Sequence, residues 1–129
     1  MIKQIKSSEI KNYIKENSNV VLLDVRTENE WTTLGKPNAE DLNSKTYFVT
    51  VSPDLSNWQV PDSNFLEKVK QNIKKENQVL VICAVGGRSI IAAKLLANEG
   101  YKTLNISDGF SGNGLDPGWK NLGLPFKNI

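Results

Sequence analysis

Val79-Leu80-Val81-Ile82-Cys83-Ala84-Val85-Gly86-Gly87-Arg88-Ser89 begins as a short apolar run, stops at a cysteine, and passes a glycine pair and an arginine. Four β-rich apolar residues in a row read as a strand buried on both faces, the pattern of a mostly parallel sheet covered by helices. Beyond Ser89, residues Ile90, Ile91, Ala92, Ala93, Leu95, Leu96 and Ala97 leave almost no polar face. They predict a deeply packed helix from about Ser89 to Glu99, stopped by Gly100. A buried strand that runs into such a helix delivers Cys83 to the carboxyl edge of the sheet, where α/β proteins hold ligands. Gly86 and Gly87 let the backbone curl so that successive amides point inward as an anion-binding nest. The helix adds the positive end of its dipole at the same spot.

Surroundings of this kind favour thiolate over thiol. Helix N-termini and cationic neighbours lower the pKa of a cysteine from about 8.5 to roughly 3.5–7.5. The thiolate is the nucleophile, so no histidine base is needed. Arg88 offers a planar fork of donors for an oxyanion.

The rest of the chain fits the same layout. Val20-Val21-Leu22-Leu23 is a second fully apolar run, Thr46 to Val51 reads as a further strand ended by Pro53, and Thr103 to Ile106 as another. Ser7 and Ser8 can cap a helix whose Ile10, Tyr13 and Ile14 share one face. Phe65, Leu66, Val69 and Ile73 form another helical stripe, with Asp62, Ser63 and Asn64 as candidate caps. Gly35-Lys36-Pro37-Asn38 marks a loop, and a second loop from Ser52 to Ser63 is expected to be anchored by Trp58. Strands alternating with helices give an α/β class with a central, mostly parallel sheet, expected as one domain over residues 1–129. Trp31, Trp58 and Trp119 are expected to pin loops over the core, and Phe126 to anchor the tail. Asp24 and Arg26 follow a buried strand. Together with Glu30 they are expected to support the loop, Arg26 and Glu30 pairing or capping it, rather than to act as acid and base.

Composition narrows the function. A chain of 129 residues can bury a core without disulfides or metals. The net charge of +2, with Lys and Asn scattered, argues against nucleic acid or a membrane surface as partner. One cysteine excludes an internal disulfide, so nothing points to an oxidising compartment. Met1-Ile2-Lys3-Gln4-Ile5 is not followed by an apolar stretch of signal-peptide length, and a cytoplasmic location is expected. The absence of histidine removes His-ligated metals and His-based triads. No metal and no cofactor are expected.

Cys83-Ala84-Val85-Gly86-Gly87-Arg88-Ser89, continued by Ala92-Ala93, Leu96 and Gly100-Tyr101, resembles the active-site loop and following helix of rhodanese-like domains. Leu23-Asp24-Val25-Arg26 with Glu30-Trp31 is similar to the first conserved block of that family. Asp108-Gly109-Phe110, Gly118-Trp119 and Gly123-Leu124-Pro125-Phe126 are similar to its closing block. The likeness spans about Ser8 to Phe126. It implies a five-stranded parallel sheet flanked by helices on both faces, and a sulfurtransferase in which Cys83 becomes a persulfide. Backbone N–H groups of Ala84 to Arg88 are then implied to stabilise the persulfide, with Ser89 closing the loop. Small sulfur donors and thiol acceptors, a protein thiol among them, are the implied partners, and no resolving cysteine exists in the chain. The chain departs from the family at Gly35-Lys36-Pro37-Asn38-Ala39, where Gly-His-Ile is usual. It also carries Ala84 where many thiosulfate-using members have a cationic or polar residue.

Two other readings stay open at this stage. Cysteine phosphatases and arsenate reductases also run a loop from Cys to Arg, but with five intervening residues, whereas four lie between Cys83 and Arg88. A binding or redox-sensing module would use a reactive Cys83 without sustained turnover.

Overall fold

The computed structural model describes residues 2–128; Met1 and Ile129, the ends of the expected domain, lie outside the described residues. Its main sheet takes β1 (Lys3–Ile5), β2 (Val20–Asp24), β4 (Lys45–Phe48), β5 (Gln78–Ile82) and β6 (Lys102–Ile106) in the order β1-β6-β5-β2-β4. A two-residue strand, β3 (Lys36–Pro37), lies outside this sheet and pairs with β7 (Phe126–Lys127). All neighbouring pairs of the main sheet run parallel. The five strands and their direction match the expectation.

Strand alternation sorts the core into two layers. Val21, Leu23, Val79 and Val81 face one way and pack with Phe65 and Val69 of α3 (Phe65–Lys70) and with Ala92, Ala93 and Leu96 of α4 (Gly87–Asn98). Val20, Leu22, Leu80 and Ile82 face the other way, onto Ile10 of α1 (Ile10–Glu16) and onto Phe110 and Trp119 of the C-terminal segment. The runs Val20–Leu23 and Val79–Ile82 within these strands are therefore apolar at every position, because neither face meets water.

The elements depart from the residue-by-residue reading in several places, beginning with the edge strand β1, which that reading does not name. The strand expected over Thr46 to Val51 ends at Phe48, since β2 itself ends at the paired residue Asp24. Val49 and Val51 still donate to the carbonyls of Asp24 and Val25. The Gly35–Asn38 loop contains β3, which pairs antiparallel with β7. Ser7 opens a short 3-10 turn before α1, and its side chain is tied to Asp108 rather than capping the helix. Finally, α2 (Glu28–Leu34) was not anticipated. Thr27 and Glu30 form a reciprocal capping box there, Thr27 Oγ1 accepting from Glu30 N and Glu30 Oε1 accepting from Thr27 N.

Candidate functional site

In register, Asp24 lies beside Ile82, so β2 and β5 end together and Cys83 follows at their common carboxyl edge. The loop from Cys83 into α4 is fixed from behind. Phe110 N donates to the Cys83 carbonyl at 2.8 Å and Ser111 N to the Ala84 carbonyl at 2.9 Å. Asp108 holds the segment that supplies these donors, accepting from Ser7 N, Ser7 Oγ and Gly118 N at 2.9–3.0 Å. Gly109, at φ +61°, leaves no room for a side chain: a Cβ would stand 2.3 Å from the Ala84 oxygen.

Gly86 caps α4 with φ 104° and ψ −4°, a backbone geometry that favours glycine. A Cβ on Gly86 would also lie 2.4 Å from the Ser107 carbonyl. This geometry turns the Gly86 N–H onto Cys83 Sγ at 3.1 Å. Among the described residues it is the one backbone amide hydrogen-bonded to the sulfur. The first-turn N–H groups of α4, at Gly87, Arg88 and Ser89, have no acceptor within the helix.

Ser89 Oγ sits 3.2 Å from Sγ and also donates to Asn105 Oδ1 of β6, while Asn105 Nδ2 donates to Gln4 Oε1 and to the Gly86 carbonyl. A hydroxyl has one proton. While it is given to Asn105, Ser89 can accept from a Cys83 thiol; a Cys83 thiolate competes with Asn105 for it.

Cys83 is 1% exposed. Cys83 nevertheless lines a cavity of about 290 Å³, together with Leu55, Trp58, Val85, Gly87 and Arg88. Trp58, expected as a core anchor, is instead part of this wall, its ring 3.6 Å from where a Gly87 Cβ would stand. Trp119 is the anchor: fully buried, with Nε1 donating to the Pro125 carbonyl.

Arg88 stands at the same cavity but its fork is occupied. Nη1 and Nη2 donate to Glu30 Oε1 and Oε2 at 2.7 and 2.8 Å. Burial by itself raises the Glu30 carboxyl, yet the hydrogen bonds from Arg88 and from the Thr27 backbone outweigh it and hold the group below its ordinary value. The hydrogen bond to Glu30 correspondingly raises Arg88, against the opposing effect of burial. The anticipated Arg26–Glu30 pairing does not form. Arg26 turns to Asp24, with both side chains fully buried, and its Nη2 also reaches the Gly35 carbonyl at 2.8 Å.

Sequence reasoning missed Asn105, Leu55 and the role of Trp58. A polar residue inside the strand Leu104-Asn105-Ile106 was the available signal for Asn105. Among the described residues, no group of three or more His, Cys, Asp or Glu is arranged to hold a metal, and no helix is long and apolar enough to cross a membrane.

Comparison with known proteins places this geometry. The chain is 38% identical over 128 residues to the uncharacterized protein RP600 of Rickettsia prowazekii, covering 98% of both chains. The crystal structure of Rv0390 from M. tuberculosis superposes with a TM-score of 0.84 at 29% identity, covering 98% of each chain. A polysulfide-sulfur transferase homodimer from Wolinella succinogenes gives 0.63 at 25% identity, over 99% of this chain and 80% of that one. A Rhodopseudomonas palustris protein of unknown function described as a possible tyrosine phosphatase, RPA3614, also gives 0.63, at 26% identity over 98% of this chain and 85% of that one. The family model for the rhodanese-like domain matches residues 7–113, which hold β2, β5, the cysteine loop and the helix after it, and the chain belongs to the rhodanese-like domain family.

Proposed function

We propose that this protein is a sulfurtransferase that carries a sulfane sulfur on Cys83 and passes it to a thiol or another thiophilic acceptor. The observation that carries this reading is the position of Cys83, whose Sγ is held by the Gly86 N–H at the N-terminus of α4 and which lines a cavity large enough for one small donor. In the forward step the Cys83 thiolate attacks the outer sulfur of the donor. The donor's S–S bond breaks, its electron pair leaves with the inner sulfur, and Cys83–S–S⁻ remains. With thiosulfate the leaving group is sulfite, and charge balances without an oxidant. The Gly86 N–H is positioned to stabilise negative charge on sulfur, and the Ser89 hydroxyl joins it when its proton turns from Asn105 to Sγ. An external thiolate then attacks the outer sulfur and regenerates Cys83, since the chain has no second cysteine.

The near-complete burial of Cys83 favours one competing reading, a sensing or binding module without sustained turnover. The phosphatase reading has less support. The loop holds four residues between Cys83 and Arg88, and both Nη atoms of Arg88 already serve Glu30, which leaves no free fork for equatorial phosphate oxygens. One experiment separates these readings. Treated with a sulfane donor, the protein should gain about 32 Da (one sulfur), lose it to a dithiol and gain it again, and Cys83→Ser should gain none. Equal uptake by both proteins would remove Cys83 from the mechanism, and a single uptake that no thiol discharges would favour the sensing module.

A further inference from the structure

We propose that the cavity beside Cys83 selects a sulfane donor with an uncharged apolar tail, an alkyl or aryl persulfide, over the thiosulfate dianion; this rests on the sulfur-carrier reading above. The wall is made by Leu55, Trp58 and Val85, which remain 48%, 38% and 57% exposed around a cavity that the buried Cys83 also lines. The segment bearing two of them is held in place. Asp54 accepts from the amide and hydroxyl of Ser56, and Ser52 Oγ donates to the Trp58 carbonyl at 2.6 Å.

Charge points the same way. Among the described residues Arg88 is the one cationic residue lining the cavity, and Glu30 meets it oxygen for nitrogen, the two side chains being 10% and 12% exposed. The pair is close to neutral toward anything entering beside it. A doubly charged, strongly hydrated anion would therefore lose water against an indole and two aliphatic side chains without gaining a free cation. An aryl or alkyl tail gains contact with the same three residues. At about 290 Å³ the space sits at the lower limit of ligand pockets, which fits one ring or a short chain.

The step balances. Cys83–S⁻ attacks the terminal sulfur of R–S–SH, the R–S to S bond breaks, the leaving sulfur takes the proton as R–SH, and Cys83–S–S⁻ remains. Nothing is oxidised or reduced overall.

The test uses the full chain with Cys83 reduced and follows persulfide formation by intact mass. The donors are benzyl persulfide, 2-sulfonatoethyl persulfide (the same reacting sulfurs on an anionic tail) and thiosulfate. Each rate is divided by that donor's rate with a free small thiol, which removes intrinsic reactivity. Benzyl persulfide should exceed both anions by about tenfold or more, the scale of discrimination an apolar pocket supplies. Trp58→Ala should lower the benzyl rate and spare the sulfonate rate, whereas Val85→Lys should raise both anionic donors. Equal normalised rates, a preference for either anion, or a Trp58→Ala loss shared by all donors would overturn the selectivity and leave the sulfur-carrier reading standing. If no donor labels Cys83, both readings fall together.

Discussion

Asp24–Arg26 and Glu30–Arg88 are both arginine–carboxylate pairs, yet one closes on itself within three residues and the other bridges 58 positions of sequence. In the first, Arg26 Nε lies 3.1 Å from both Asp24 oxygens and Nη2 lies 2.9 Å from Oδ2, with neither side chain exposed. The guanidinium also stacks 4.2 Å from the centre of the Phe110 ring. It ties the end of β2 to Gly35 and to the segment behind the cysteine loop. Among the described residues its Nη1 has no partner, so the knot is not fully satisfied. The second pair joins α2 to the first turn of α4 and sets the charge of the cavity rather than the geometry of the core. Burial and reach, more than the chemistry of the two ions, decide which pair is structural and which shapes the site.

This contrast can be broken most forcefully at Asp24. Asp24→Ala strands a buried guanidinium and should cost about 3–5 kcal/mol in urea unfolding; a loss below about 1 kcal/mol would mean that Arg26 is not a buried dependent charge. Glu30→Gln should cost less, about 1–2 kcal/mol, because it removes charge but keeps an oxygen for the Thr27 amide. Freed from its partner, Arg88 should then raise the rate of persulfide formation from thiosulfate while the benzyl persulfide rate stays put. Acid sharpens the comparison. The folded-state pKa of Glu30 is depressed, so its contribution is complete above the ordinary carboxylate value, about 4.3, and is lost as pH falls through the lower folded value. The stability gap between wild type and Glu30→Gln should accordingly shrink in that window, and a gap that widens in acid would refute the assignment. The smallest effect belongs to the exposed pair Lys70–Glu99, 3.3 Å apart with side chains 40% and 35% exposed. There Lys70→Ala should change stability by no more than about 0.5 kcal/mol.

The parts of this fold that could be read from sequence are those whose signals are local. Val20 to Leu23 and Val79 to Ile82 are apolar at every position, which only a strand covered on both faces requires. Gly86-Gly87 before a nearly all-apolar helix placed the cysteine loop. The Thr27-x-x-Glu30 box is also local, but the sequence reading sets Glu30 against Arg26 or the loop, not against the Thr27 amide at the start of a helix. What could not be read was partnership at a distance. Nothing near Arg88 says that its fork is taken by Glu30, and nothing near Trp58 says that its ring leans on Gly87 rather than on the core. Arg26 chose the carboxylate two residues away over the one four residues away. The turn after β2 folds the guanidinium back on Asp24 while Glu30 is drawn to Thr27 and Arg88.

The tight fit of Gly86 against Ser107 and of Gly109 against Ala84 has a mechanical consequence. The floor under the sulfur cannot yield, because backbone already fills the space behind it. A second thiol therefore meets the sulfur from the cavity, between Val85 and the tethered stretch that carries Leu55 and Trp58, and its bulk is limited by the space those side chains leave.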